Sequence, residues 1–279
     1  MNKKILALLS AGALMTALLA GCGNGGNNET PSSTGEGGDD AAFTTVEEGK
    51  LIMSTNAQFP PYEMVADDGQ GYEGTGFEGI DVEIAYAIAE KLGLELVIDD
   101  MDFDGALLAA QNGKSDMVMA GLTVNEERQQ VMDFSQSYAN GVQVVIVTEG
   151  SDIQSIDDLE GKQIGTQRGT TGYIYCSDTP ENGGYGEENV TAYDDGATAV
   201  QALINGQVDC VVIDNAPAQE YVNANPGLKI LDTEFTNEDY AIGFAKGNTA
   251  LQEAVDGALG ELIADGTVQA IIDKYIPAE

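Results

Sequence analysis

"LLAAQNGKSDMVMAG" (107–121) and "VQALINGQVDCVVID" (200–214) are built on one plan. Each opens with an apolar run at helical spacing and closes it with Asn-Gly. Two residues later comes an aspartate, then an apolar run of strand length. Asn-Gly is a strong helix stop, and a short apolar run after a turn reads as a buried strand. A helix–strand unit that occurs once in each half of a chain predicts parallel sheets flanked by helices, in two similar lobes. It also predicts where the strands lead. Gly121 and Asp214 end their strands at the carboxyl edge, where open α/β sheets bind ligands.

The alternation extends outward from these two units. "LIMS" (51–54), "LELVI" (94–98), "DMVMAG" (116–121) and "VQVVIV" (142–147) read as strands, with a helix over Ile80–Leu92 that Gly93 ends and another over 104–113. The pattern restarts with a short helix at "IDDLEG" (156–161) and a strand at "KQIGTQ" (162–167), which enters the loop "RGTTG". Next come "VTAY" (190–193), a helix over 196–206, "DCVVID" (209–214), a strand at "YAIGFAK" (240–246), and helices across 248–265 and 267–275. If the strand at 240–246 returns to the first lobe, the chain crosses twice and a cleft lies between the lobes. The expected boundaries are 43–146 plus 240–279 for lobe 1 and 147–239 for lobe 2.

The first 21 residues carry Lys3 and Lys4, then a short apolar stretch broken by Ser10, Gly12 and Thr16, and read as a signal peptide. From Cys22 to residue 42 the chain is rich in Gly, Asn, Ser and acids and has little to bury, which reads as a flexible tether.

Composition excludes several classes. The formal net charge of −36 argues against a nucleic-acid partner. With no histidine, Ser-His and Cys-His nucleophiles are absent, and no metal, cofactor or catalytic residue is expected. Cys176 and Cys210 could pair in an oxidising compartment, but are expected to be free, partly buried thiols.

Among 11 basic residues there are two arginines, Arg128 and Arg168. Arginine grips carboxylates with a planar fork of donors and keeps its charge. In "GLTVNEER" (121–128), Asn125 can cap a short helix whose first turn holds Glu126 and Glu127. Arg128 then stands near the cleft edge, or pairs with one of those glutamates on the surface.

"FPPYE" (59–63), "GFEGIDVEIAYAIAEKLG" (76–93), "GTQRGTTG" (165–172), "NGQVDCVVIDNAPA" (205–218) and "DGTVQAIIDKY" (265–275), with the segment 101–138, resemble the bacterial extracellular solute-binding proteins of family 3, the polar amino-acid receptors of ABC importers. The resemblance covers nearly all of the chain beyond the tether. It implies a two-lobe periplasmic-binding-protein-like fold of type II, with ligand in the interlobe cleft. Arg128 matches the clamp for a ligand α-carboxylate, and Asp214 the partner of the α-ammonium, though Asp214 could also cap the helix of "NAPAQEYV". Gly121, Thr123 and Thr171 match positions that present backbone groups or a hydroxyl. Phe59 and Phe103 match the aromatic walls, with Tyr62 nearby.

Asn56 stands where relatives selecting cationic side chains tend to carry an acid, and Gln167 is a second neutral polar candidate, so a neutral polar amino acid is expected. Arg168 could instead draw an acidic side chain, or simply face solvent. Leu19-Ala20-Gly21-Cys22 resembles a lipobox and implies acylation of Cys22, a membrane anchor and an extracytoplasmic address. The implied partners are a free amino acid and ABC permease subunits, with the protein itself a monomer. The alternative is a secreted dehydratase-type enzyme on the same fold.

Overall fold

The computed structural model describes residues 43–277, so the signal peptide, Cys22 and the tether lie outside the described residues. In chain order the first elements are β1 (Lys50–Thr55), β2 (Gln58–Phe59), β3 (Glu63–Val65), β4 (Phe77–Glu78), α1 (Ile80–Leu92), β5 (Glu95–Asp100), α2 (Phe103–Gln111), β6 (Met117–Val118), α3 (Glu126–Val131) and β7 (Met132–Thr148). They are followed by β8 (Ile164–Gln167), α4 (Thr171–Ser177), β9 (Val190–Tyr193), α5 (Gly196–Ile204), β10 (Cys210–Asp214), α6 (Asn215–Ala224), β11 (Leu228–Ile230), β12 (Thr236–Ala245), α7 (Thr249–Ala264) and α8 (Thr267–Tyr275).

The duplicated sequence unit folds as a duplicated structure. Asp102 accepts a hydrogen bond from Gly105 N at 2.9 Å to cap α2, and Asp195 accepts one from Thr198 N at 2.6 Å to cap α5. After each Asn-Gly, the aspartate ties the unit to a strand. Asp116 accepts from Ile52 N of β1 at 2.7 Å, and Asp209 accepts from Gln163 N, just before β8, at 2.8 Å. One local capping device and one long-range carboxylate bond therefore recur in both halves.

The main sheet runs β5-β1-β6-β12-β7-β10-β8-β9, with β11 also paired to β7. β5, β1 and β6 are parallel at one end, and β10, β8 and β9 are parallel at the other. Between them β12 and β7 pair antiparallel, from Thr236↔Gln143 to Ala245↔Met132, with register shifts around Ala241. Such irregularities bend and twist a ladder, and here they fall midway between the two parallel ends.

Two sequence expectations change in extent. The strand expected at 142–147 is the end of a 17-residue strand, because β12 pairs with the polar stretch Met132–Gly141 as well. The strand expected at 116–121 has regular pairing only at Met117–Val118, and the backbone beyond it turns to reach the site. α7 and α8 pack on α1, burying Leu251, Val255, Leu259 and Val268 in one cluster with Ile84 and Ile88. The C-terminal helices therefore lie against the β5–β1–β6 end.

Candidate functional site

All nine residues expected to meet ligand line one cavity: Asn56, Phe59, Phe103, Gly121, Thr123, Arg128, Gln167, Thr171 and Asp214. Its non-atom space, open solvent at the mouth included, is about 310 Å³. Glu63, Ala120 and Thr170 line it too and were not singled out in the sequence. Ala120 and Thr170 adjoin expected residues. Glu63 closes the motif "FPPYE" (59–63) but was given no role of its own.

Arg128 is 6% exposed and makes no ion pair with Glu126 or Glu127 among the described residues. Asn125 caps α3 by accepting from Arg128 N at 2.8 Å, which fixes the direction of the side chain. The guanidinium donates to Thr123 O at 2.7 Å and to Gly169 O at 3.1 Å, and its carbon lies 5.4 Å from the centroid of the Phe103 ring. A guanidinium has five N–H donors. Two are held by carbonyls, and the others remain for an anion in the cavity. Arg168, by contrast, is largely exposed and sits 3.6 Å from Asp194.

Two glycines permit the close approach. Gly121 has φ +52°, and a Cβ there would stand 2.6 Å from Phe59 Cε1. Gly169 has φ +73°, and a Cβ there would collide with Asp104 across the cleft, 1.8 Å from Oδ1. Both positions exclude a side chain twice over, by conformation and by space.

The strand β10 delivers Asp214, which is 6% exposed, at the N-cap position of α6. Its carboxylate makes no capping bond and instead accepts a hydrogen bond from Tyr240 OH. Burial raises its pKa, and Glu238 nearby adds to the rise. Glu238 is buried and accepts from Thr123 Oγ1 at 2.8 Å and from Gln143 Nε2 at 3.1 Å. Gln143 Nε2 also donates to Thr171 Oγ1 at 3.3 Å. Thr123 thus commits its hydroxyl proton to Glu238 while its carbonyl holds Arg128.

At another wall of the cavity, Gln167 Nε2 donates to Asn56 Oδ1 at 2.9 Å, and Asn56 Nδ2 donates to Met101 O at 2.9 Å. The Gln167–Asn56 bond joins the end of β8 to the end of β1, across the two parallel ends of the sheet. Phe59 and Phe103 are each 7% exposed. Tyr62 is buried behind Phe59, with ring centroids 5.9 Å apart, and meets Tyr240 edge-on at 5.2 Å. It supports the wall without lining the cavity.

Glu63 is fully buried, and among the described residues neither carboxyl oxygen has a hydrogen-bond partner. Asp81 is itself fully buried but served by two donors, Tyr138 OH at 2.7 Å and Gly121 N at 2.9 Å. Burial pushes Asp81 up to about 6, against the lowering effect of those two bonds. Burial raises Glu63 well above the usual carboxylate range, and the charge of Asp81 raises it further. Among the described residues no group of acids, cysteines or histidines is arranged to hold a metal ion.

An α/β sheet with two parallel ends, joined by β7 and β12 and enclosing a polar cavity, defines a periplasmic-binding-protein fold. Residues 51–278 match the family model for bacterial extracellular solute-binding proteins, family 3, and the chain belongs to that family. It is 31% identical over 237 residues to the L-cystine-binding protein TcyJ of Escherichia coli (strain K12), covering 84% of this chain and 85% of that protein. It is 30% identical over 280 residues to the arginine-binding extracellular protein ArtP of Bacillus subtilis (strain 168), covering 99% of each. The structure of an ancestral arginine-binding protein bound to glutamine superposes with TM-score 0.74 at 39% identity, covering 83% of this chain and 100% of that one. The structure of an ancestral arginine-binding protein bound to arginine gives 0.74 at 40%, covering 82% of this chain and 98% of that one. These are binding proteins, not enzymes, and the chain is an extracytoplasmic solute-binding protein of their kind. The dehydratase alternative is set aside.

Proposed function

We propose that this protein is the amino-acid receptor of an ABC importer and that its ligand lies between Arg128 and Asp214. The observation that carries the reading is the placement of those two residues. Arg128 stands on α3, a short way beyond the first duplicated strand, Asp214 ends the second, and both line one cavity with side chains of opposite charge type. An α-carboxylate takes the free donors of Arg128 and the first-turn N–H of Thr171, with Thr123 beside it. An α-ammonium takes Asp214, with the backbone of Gly121 beside it. A ligand lacking either charge leaves its partner buried and unmatched, which is costly.

The side chain then runs between Phe59 and Phe103 toward Asn56, Gln167 and Glu63. The two amides suit a neutral polar side chain that donates hydrogen bonds, such as the carboxamide of glutamine. The ancestral relative solved with glutamine supports this. A cationic side chain is the second reading. The unpartnered carboxyl of Glu63 favours it, as do the arginine-binding relatives.

Capture proceeds by lobe closure. Lobe 1 comprises 43–146 with 240–279, lobe 2 comprises 147–239, and β7 and β12 form the hinge. The bonds Arg128–Gly169 and Gln167–Asn56 belong to the closed form. The protein works as a monomer, anchored to the membrane through acylated Cys22, and the closed form docks on the permease. Calorimetric titration with glutamine, its α-carboxamide derivative and its des-amino analogue tests the head-group assignment. Glutamine is expected to bind and both analogues to lose most of the affinity. Equal binding of all three would overturn the assignment.

A further inference from the structure

Asp81, the second residue of α1, is fully buried and lies behind the cavity wall rather than on it. Both of its oxygens are engaged: Oδ1 accepts from Tyr138 OH at 2.7 Å and Oδ2 from Gly121 N at 2.9 Å. The two donors come from places that matter to the site. Gly121 belongs to the cavity wall. Tyr138 belongs to β7, where Tyr240 pairs with Ala139 and Ala241 with Ser137, so Tyr138 is the residue left over at the register shift. A bulge of this kind re-aims a side chain, and here the phenol meets Asp81.

Among the described residues Asp81 makes no ion pair. A buried carboxylate without a counter-charge is costly unless hydrogen bonds hold it, so its two bonds are where its use lies. Gly121 has a left-handed backbone, φ +52°, and the chain beyond it is pinned at each step. Leu122 O accepts from Ala241 N at 3.0 Å, Thr123 O from Arg128 at 2.7 Å, and Thr123 Oγ1 donates to Glu238 at 2.8 Å. Among the described residues the Gly121 carbonyl accepts no hydrogen bond. Buried backbone carbonyls are nearly always paired, so an unclaimed one on a cavity wall is an acceptor open to a bound donor. The planar peptide before Gly121 is fixed by Asp81 and the carbonyl after it by Ala241, which together set the direction of the Gly121 C=O.

We infer that Asp81 is a positioning residue of the ligand site: it holds the Gly121 N–H and so aims the Gly121 carbonyl at the ligand α-ammonium, while Tyr138 of β7 holds Asp81 in turn. On the amino-acid-receptor reading, on which this rests and which it deepens, the ammonium has two acceptors. Asp214 offers one from the second half of the chain and Gly121 O offers the other from the first. The second depends on a side chain that never meets the ligand.

The test is titration calorimetry of the purified wild type, Asp81→Ala and Asp81→Asn with glutamine, arginine and the des-amino analogue of each, by displacement where binding is weak. A lost hydrogen bond to a charged group corresponds to about tenfold to a hundredfold in affinity. In Asp81→Ala the ratio of amino-acid to des-amino affinity should therefore fall by about tenfold or more, with the des-amino analogues themselves changed by about threefold or less. Asp81→Asn keeps an acceptor for Gly121 N, with Nδ2 donating to the Tyr138 oxygen, and should return the ratio to within about threefold of wild type. A structural role alone would lower the melting temperature of Asp81→Ala and leave the ratio unchanged, which would overturn the inference and leave the receptor reading intact. An asparagine variant as impaired as the alanine one would overturn it too, since charge rather than the held N–H would then be responsible. Should Asp81→Ala not fold, NMR of the wild type decides. The Gly121 N–H is expected to be protected from exchange before ligand is added, and the Gly121 carbonyl carbon to shift with the amino acids and not with their des-amino analogues. An unprotected N–H, or a carbonyl indifferent to the α-ammonium, would overturn the inference. Failure of the wild type to bind either amino acid would overturn the receptor reading as well.

Discussion

The guanidinium of Arg128 donates to the Gly169 carbonyl at 3.1 Å, and that bond crosses from the first half of the chain to the second. The same side chain is fixed from below by Thr123 O and from the side by Phe103. A residue held at three points, with donors to spare, is positioned to grip an anion without reorganising. Its replacement should therefore cost binding more than folding.

Arg128→Lys keeps the charge but loses the planar fork, and Arg128→Ala removes both. Truncating one partner of a buried charge pair costs about 2–5 kcal/mol, or roughly 30-fold to several-thousand-fold in Kd. Arg128→Ala should fall in that range, with Arg128→Lys losing about tenfold or more. Titration calorimetry reads both. Wild-type affinity in the lysine variant would contradict the clamp.

Gly121→Ala should destabilise the protein and disturb the site together. The left-handed backbone costs about 1–3 kcal/mol for a residue with Cβ, and the methyl would press on Phe59. Thermal unfolding with and without ligand separates the two effects. A variant that unfolds and binds like wild type would show that Phe59 moves freely at that contact.

Stability of the unliganded protein should fall as pH rises. Asp81 titrates at about 6 in the folded protein against 3.8 for an unperturbed carboxyl, so between those values the folded state holds more protons than the unfolded chain. Its stabilising contribution is full below about 3.8 and is lost as pH climbs through about 6. Glu63, raised further, extends the same loss upward. Scanning calorimetry from pH 5 to pH 8 should show a shallower decline for Glu63→Gln than for wild type, using the pH dependence expected from these shifts. Parallel profiles would remove Glu63 from the account.

Cys176 and Cys210 are free and buried. Burial pushes Cys210 up to about 12 and raises Cys176 as well. Neither should react with a thiol reagent in the native protein, and both should react after denaturation. Mass spectrometry of the labelled peptides checks this, and rapid native labelling of either cysteine would contradict the burial.

How much the sequence discloses depends on how local the cause is. The strands leading toward Gly121 and Asp214 could be read because helix, Asn-Gly and aspartate are contiguous, and the capping bonds of Asp102 and Asp195 act within three residues. The first ten residues of β7 could not, because a stretch as polar as "MDFSQSYANG" becomes a strand only when distant β12 pairs with it. The same holds for the acids. Asp214 announces itself at a strand end. Asp81 and Glu238 acquire their significance only from bonds to Tyr138, Gly121, Thr123 and Gln143, which lie far away in sequence, and Glu63 acquires its own from burial in the cavity wall. Side-chain preference depends on that second group, which is why the head-group site was more legible than the far end of the pocket.

The central claim is that the cavity between Arg128 and Asp214 holds a free amino acid. A thermal-shift panel of the twenty amino acids on the purified protein tests it most directly, because any ligand of the native state raises the melting temperature. Stabilisation by glutamine or another hydrogen-bond-donating amino acid, abolished in Arg128→Ala, is the predicted result. A flat panel across all twenty would contradict the account.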